Sequence, residues 1–146
     1  WEKAARGGAS GRRFPWSDSD LIQHSRANYY SFSDYAYDTS PTRNYHPSFN
    51  TGSTPYTSPV GYFAANGHSL HDMAGNVREW CWDWFSSSYY SSSPGTDPRG
   101  PVSGSNRVRR GGSWISYAWV CRSASRYYDG PTVGDGHLGF RSVLSP

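Results

Sequence analysis

The sequence has little lysine, methionine or cysteine: Lys3 and Met73 stand alone, Cys81 and Cys121 are the two cysteines, and charged residues fill 17% of 146 positions. Each scarcity excludes something. Two cysteines are too few for a disulfide scaffold; they suit one bridge or two buried thiols, and the redox compartment stays open. With one lysine, the net charge of +3 comes almost wholly from arginines, scattered except at Arg12-Arg13 and Arg107-Val108-Arg109-Arg110. A nucleic-acid binder needs a denser basic stripe, so no nucleic-acid partner is expected. No run approaches the roughly 18 apolar residues that span a bilayer. Trp1 opens a polar stretch rather than an apolar signal core, so a soluble chain with no transmembrane segment is expected.

Large rings are abundant. Seven Trp, 12 Tyr and 6 Phe are too many to leave solvated, and with 35% hydrophobic residues they point to one domain folded around aromatics. Trp1 to Arg6 reads as a helix end, begun before Trp1 and closed by Gly7-Gly8. Phe14 to Phe63 reads as turn-rich loop with one candidate strand, Val60 to Phe63. Val77 to Trp84 alternates polar and apolar residues in part and is the clearest strand. Ser86 to Ser105, rich in Ser, Gly and Pro, reads as a surface excursion; Arg107 to Trp114 and Leu138 to Val143 read as two more strands. Ile115 to His137 shows no period, and a long irregular stretch inside a compact domain is where function concentrates. The histidines at 24, 46, 68, 71 and 137 lack motif context around a nucleophile.

Trp-Glu-Lys-Ala-Ala-Arg-Gly-Gly at 1 to 8, Phe14-Pro15-Trp16, Ala27-Asn28-Tyr29, Ser58-Pro59-Val60, Asp72-Met73-Ala74-Gly75-Asn76-Val77-Arg78-Glu79-Trp80, Arg110-Gly111-Gly112-Ser113-Trp114 and Gly139-Phe140-Arg141 follow in this order. Together they resemble the formylglycine-generating-enzyme (sulfatase-modifying factor) family. That resemblance implies an α+β, loop-rich C-type lectin fold with few short strands and little helix. It covers residues 1–146 as a single domain and implies that an N-terminal part of the family domain is missing. A glycine pair before Ser113 suits close backbone approach, and Gly75-Asn76 suits a tight turn with positive φ.

Members that are enzymes hold copper between two cysteines, five residues apart, shortly after the Gly-Gly-Ser-aromatic motif. Counting forward from that motif, the two positions are Ser116 and Cys121; counting backward from Arg126 and Pro131, Cys121 no longer aligns. Cu(I) prefers soft thiolates, and a serine hydroxyl is no substitute. No copper and no oxidase activity are therefore expected, a copper-dependent oxidoreductase being the alternative. The family also implies calcium at the side chains of Asp72 and Glu79 and the carbonyls of Gly75 and Val77, two carboxylates and two carbonyls being part of a calcium shell. The same residues equally suit a plain turn, with Asp72 bonding its own backbone and Glu79 paired to Arg78 or Arg110.

The tail from 107 to 146 resembles, more narrowly, the variable region of proteins diversified by retroelements. A fixed frame of Arg-Val-x-Arg-Gly-Gly-Ser-Trp, Cys121 to Arg126, Pro131 and Leu138 to Arg141 encloses stretches that diversification can change. Mutating the adenines of an AAC codon reaches any codon ending in C, which never encodes Gln, Glu, Lys, Met or Trp. Ile115, Ser116, Tyr117, Val120, Tyr127, Tyr128, Asp129, Gly130, Thr132, Val133, Gly134, Asp135, Gly136 and His137 are all reachable this way; Trp119 is not and would be frame. These residues, Trp119 included, are the expected ligand-binding surface. Tyr supplies rigid contact area while Ser, Gly, Asp and His supply adaptable hydrogen bonds. The expected partner is a protein or other macromolecule rather than a small molecule. The resemblance further implies display at a bacterial cell surface or in secreted form, as a lipoprotein. Packed rings like those of the first half are the alternative for Tyr117, Tyr127 and Tyr128.

Overall fold

The computed structural model describes residues 1–143; positions 144–146 of the expected variable region lie outside the described residues. Helix α1, Glu2–Arg6, closes on Gly7 in the left-handed conformation at φ 55°. The sheet is built from β1 (Arg78–Trp84), β2 (Arg107–Arg110), β3 (Tyr127–Asp129) and β4 (Leu138–Gly139), in the order β3-β2-β1-β4. β2 runs antiparallel to both β1 and β3, while β4 lies parallel to β1 for two residues, Arg78 facing Leu138 and Glu79 facing Gly139. The remainder is loop, as the composition and the resemblance imply.

The core lies beside the sheet, in the loops. Phe14, Ile22, Ala27, Tyr29, Ala74, Ala118 and Cys121 form one buried cluster, with Trp16, Tyr35 and Tyr37 packed against it. Isolated bridges stitch the loops together: Ile22 with Asp38, Asn28 with Gly75, Tyr30 with Tyr117, Ser31 with Asn44. Asp38 is the polar hub. Its carboxylate accepts hydrogen bonds from the Tyr29 hydroxyl at 2.5 Å, the Ser31 hydroxyl at 2.9 Å and the Phe32 amide at 2.9 Å, with Arg43 3.3 Å away. Burial chiefly, and then the Asp38 hydrogen bond, push the Tyr29 phenol far above its usual pKa.

Two glycines fix how loop meets sheet. Gly75, at φ 77°, lies so close to Asn28 that a Cβ would fall 2.2 Å from that residue's carbonyl oxygen. At Gly112, φ 72°, a Cβ would fall 2.6 Å from the Cys121 sulfur. Both places accept only glycine.

Three expected strands need correction. Val60–Phe63 is a turn in which Gly61 takes φ 78°; Phe63 is buried while Val60 is exposed, so no alternating face exists. The strand expected over 107–114 stops at Arg110, because Gly111 and Gly112 both turn the chain with positive φ. That expected over 138–143 stops at Gly139, and Phe140 and Val143 are exposed. β3 lies inside the stretch read as irregular, where three residues gain strand form by pairing with β2. The excursion after β1 holds one 3-10 turn, Tyr89–Ser91, and is closed at its neck by the Phe85 amide donating to the Asn106 carbonyl at 2.8 Å. Both cysteines are free thiols. No described helix is long and apolar enough to cross a membrane.

Candidate binding surface and the altered cysteine pair

After the Gly111-Gly112 turn the chain doubles back. The Ser113 amide donates to the Ser116 hydroxyl at 3.0 Å, and the two hydroxyls lie 3.0 Å apart. Arg78, the first residue of β1, donates from Nη2 to the same Ser116 oxygen at 3.1 Å. Cys121 follows in the core with its sulfur packed on Gly112, fully buried. Burial pushes its thiol up to about 12, against a smaller opposing effect of Arg78. One hard hydroxyl and one thiol do not supply the pair of soft thiolates that Cu(I) prefers, and a guanidinium lies beside them.

Of the expected surface, Ile115, Tyr117, Tyr128, Thr132, Val133, Gly134, Asp135 and Gly136 are exposed, Tyr117 at 42% and Tyr128 at 47%. Trp119, Tyr127, Asp129, Gly130 and His137 are half-buried. Ser116 and Val120 are buried, a correction to the sequence reading, since their side chains point into the Ser113 turn and the core.

The exposed tyrosines fall into two groups. Tyr117 meets rings from the first half of the chain, Tyr30 edge-on at 5.4 Å, Phe32 at 5.7 Å and Tyr35 at 6.4 Å. Tyr128 pairs across β2 with Val108 while Tyr127 pairs with Arg109, so the adjacent tyrosines point to opposite faces of the sheet. Tyr128 stacks on Phe85 at 4.0 Å, and Arg126 lies over both Phe85 and Tyr90. Tyr30, Phe32, Tyr35 and Phe85 thus adjoin the expected surface, and the sequence did not single them out; aromatic abundance carried no signal of which rings meet.

On the Tyr127 face, Arg109 pairs with Asp129 at 2.6 Å and His137 with Asp135 at 2.9 Å. Burial, then the charge of Arg78, hold the His137 pKa below its ordinary value. Burial raises the Tyr127 phenol, and Arg78 opposes it.

The expected calcium positions behave differently from one another. Glu79 is buried and accepts from Arg141 Nη2 at 2.5 Å, Arg141 Nε at 2.7 Å and Trp1 Nε1 at 2.6 Å. Arg141 is therefore its partner, not Arg78 or Arg110; Arg110 pairs with Glu2 at 2.6 Å. Asp72, at φ 57°, accepts the Gly61 amide at 2.6 Å on one oxygen, and its other oxygen is buried with no partner among the described residues. Val77 and Gly75 precede β1 on the turn. Glu79 is thus neutralised by an arginine and bonded three times, whereas Asp72 keeps one buried oxygen without a partner among the described residues. Among the described residues no group of three or more His, Cys, Asp or Glu is placed to hold a metal. A separate cavity of about 500 Å³ between Trp16, Asp18, Arg26, Phe63, Leu70 and Asp72 shares no residue with 115–137.

The sulfatase-modifying factor enzyme 1-like domain matches residues 1–146. The formylglycine-generating enzyme of Streptomyces coelicolor is 41% identical over 146 residues, which is 97% of this chain and 43% of that enzyme. Among solved structures, Treponema denticola variable protein 1 superposes with a TM-score of 0.66 at 32% identity, over 96% of this chain and 43% of that one. PvdO from Pseudomonas aeruginosa superposes with a TM-score of 0.67 at 28% identity, over 95% and 47%. The chain spans less than half the length of each.

Proposed function

The chain belongs to the sulfatase-modifying factor enzyme 1-like family, and on that premise we propose that it is a ligand-binding member that presents a variable surface and carries no copper oxidase chemistry. The observation that carries this reading is the altered pair: counted forward from the Gly-Gly-Ser-aromatic motif, the two copper positions fall at Ser116, hydrogen-bonded to Arg78, and at the buried thiol of Cys121, and counted backward from Arg126 and Pro131 not even Cys121 aligns. Likeness to a variable protein supports the second half of the reading, as does the exposure of Ile115, Tyr117, Tyr128 and 132–136 around a fixed frame. The surface is broad and ring-rich, which suits a protein or other macromolecule displayed to outside the cell, as on a bacterial surface.

Sequencing many copies of this locus from its source population tests the reading. Substitutions should concentrate at the exposed positions and spare Ser113, Trp114, Cys121 and Gly139; a tail as invariant as the rest would remove it. The retained Cys121, with the 41% identity to an enzyme, favours the oxidoreductase alternative. A Cu(I) titration against a bathocuproine competitor separates the two: the protein should take no copper from the competitor, and a tight complex abolished by Cys121→Ser would restore the oxidase. We also propose that the Arg141 and Trp1 contacts take the place of calcium at Glu79. Melting temperature should then not move between excess calcium and a chelator, and a rise of several degrees with calcium would overturn this.

A further inference from the structure

Arg109, Arg110 and Arg141 each have a carboxylate within 4.0 Å, whereas among the described residues Arg78 and Arg107 have none. Arg107 lies over the rings of Trp82 and Trp84, while Arg78 has a buried nitrogen without a partner. It is half-buried at the start of β1, anchored through its backbone amide to the His137 carbonyl at 2.9 Å. Its Nη2 reaches Ser116, its Cζ lies 6.0 Å from the centre of the Tyr127 ring, and its Nε is shut off from solvent with no partner. Arg109, on the neighbouring strand β2 opposite Trp80 and so on the face of Arg78, also has a buried Nε without a partner, although its Nη1 holds Asp129. Burying a guanidinium without a counter-ion is costly, and the cost is offset when an anion binds there.

We propose that Arg78, backed by Arg109, is a carboxylate-binding point on the Tyr127 face of the 115–137 surface, and that the partner presents an acidic side chain or a chain-terminal carboxylate to it. The inference rests on the display reading for what carries the carboxylate, but not for the carboxylate site itself. Charge favours a single carboxylate over a phosphate. Asp129 is already paired with Arg109, so among the described residues Arg78 is left as one positive charge in excess beside Tyr127. One carboxylate neutralises that excess, and a dianion overshoots it. A carboxylate meets the guanidinium through its Nη groups, and the half-buried setting strengthens the pairing relative to open water. Arginine 78 also precedes the variable stretch in the chain, so the anchor stays while the contacts around it change.

The test is a titration of the whole chain with sodium acetate, followed by NMR of the arginine Nε–Hε groups, with sodium chloride and inorganic phosphate as the other arms. The Arg78 and Arg109 signals should move saturably with acetate, in the millimolar range, and less with phosphate; Arg99→Gln, on the exposed excursion, should leave the midpoint unchanged. Arg78→Gln should abolish the response, and Arg78→Lys, which keeps the charge and the fold if the glutamine variant does not, should weaken it several-fold. Shifts that stay linear and equal those in chloride, a tighter response to phosphate than to acetate, or an unchanged midpoint in Arg78→Lys would each overturn the proposal. Saturable acetate binding in a chain whose locus proves invariant would uphold the carboxylate site and remove the display reading; the converse pair of results would do the opposite.

Discussion

Tyr29 and Tyr117 are the same side chain in two regions that touch through Tyr30, yet they do different work. In the loop-built core, Tyr29 is fully buried and its hydroxyl is consumed by Asp38. At the rim, Tyr117 keeps 42% of its surface and leans on Tyr30, Phe32 and Tyr35. Ring content therefore does not separate a core from a contact surface in this fold. What separates them is whether the polar end of the ring has a buried partner, because a buried hydroxyl without one costs about 1–3 kcal/mol.

The comparison can be broken hardest at the joint between the two regions. Gly75→Ala forces a Cβ onto the Asn28 carbonyl at positive φ, and urea unfolding should show a loss of about 3–5 kcal/mol, backbone strain and overpacking together. Asp38→Ala strips the partners from the Tyr29 and Ser31 hydroxyls and the Phe32 amide; a loss of about 3 kcal/mol is expected in the same assay. At the rim the effect on stability should fall away. Tyr117→Ala with Tyr128→Ala should cost about 1 kcal/mol or less of folding stability while weakening partner binding; a loss as large as that of Asp38→Ala would mean that these rings are packed core after all.

The effect that is smallest at neutral pH sharpens the contrast between the cysteines and the rim. Burial raises the Cys81 thiol to about 11 and that of Cys121 to about 12, against 9.0 for a free thiol. Below pH 9 both states keep the proton and nothing changes; above it the unfolded chain ionises first, so stability should decline from pH 9 upward until the folded values are reached. At pH 8 the native protein should label with iodoacetamide at neither thiol, and both should label in urea, read by mass spectrometry.

The parts of this fold that follow local rules were legible in the sequence. The left-handed glycine after α1, the strand form of β1 and the positive φ of Gly75 and Asn76 each rest on a few neighbouring residues, although β1 buries Glu79 and exposes Trp82 where alternation would do otherwise. β3 was not legible, because Tyr127–Asp129 has strand form only through its pairing with β2, some 20 residues away in sequence. The same holds for the site. The altered cysteine pair could be counted from a motif, but the placement of Arg78 against Ser116, of Arg141 on Glu79 and of Tyr30 beside Tyr117 depends on how distant loops meet. Ser116 and Val120 were misplaced for a related reason: a variable codon says what may change, not which way the side chain points.

The neck that closes the excursion after β1 has a practical consequence. Because the Phe85 amide and the Asn106 carbonyl already hold the two ends together, the cost of lengthening what lies between them grows only with the logarithm of its length, about 0.6 kcal/mol per doubling. The segment is therefore a natural graft point: a peptide tag or a small folded module inserted near Ser93 to Gly95, all outside the sheet, would ride on the domain with the register of β1 and β2 unchanged.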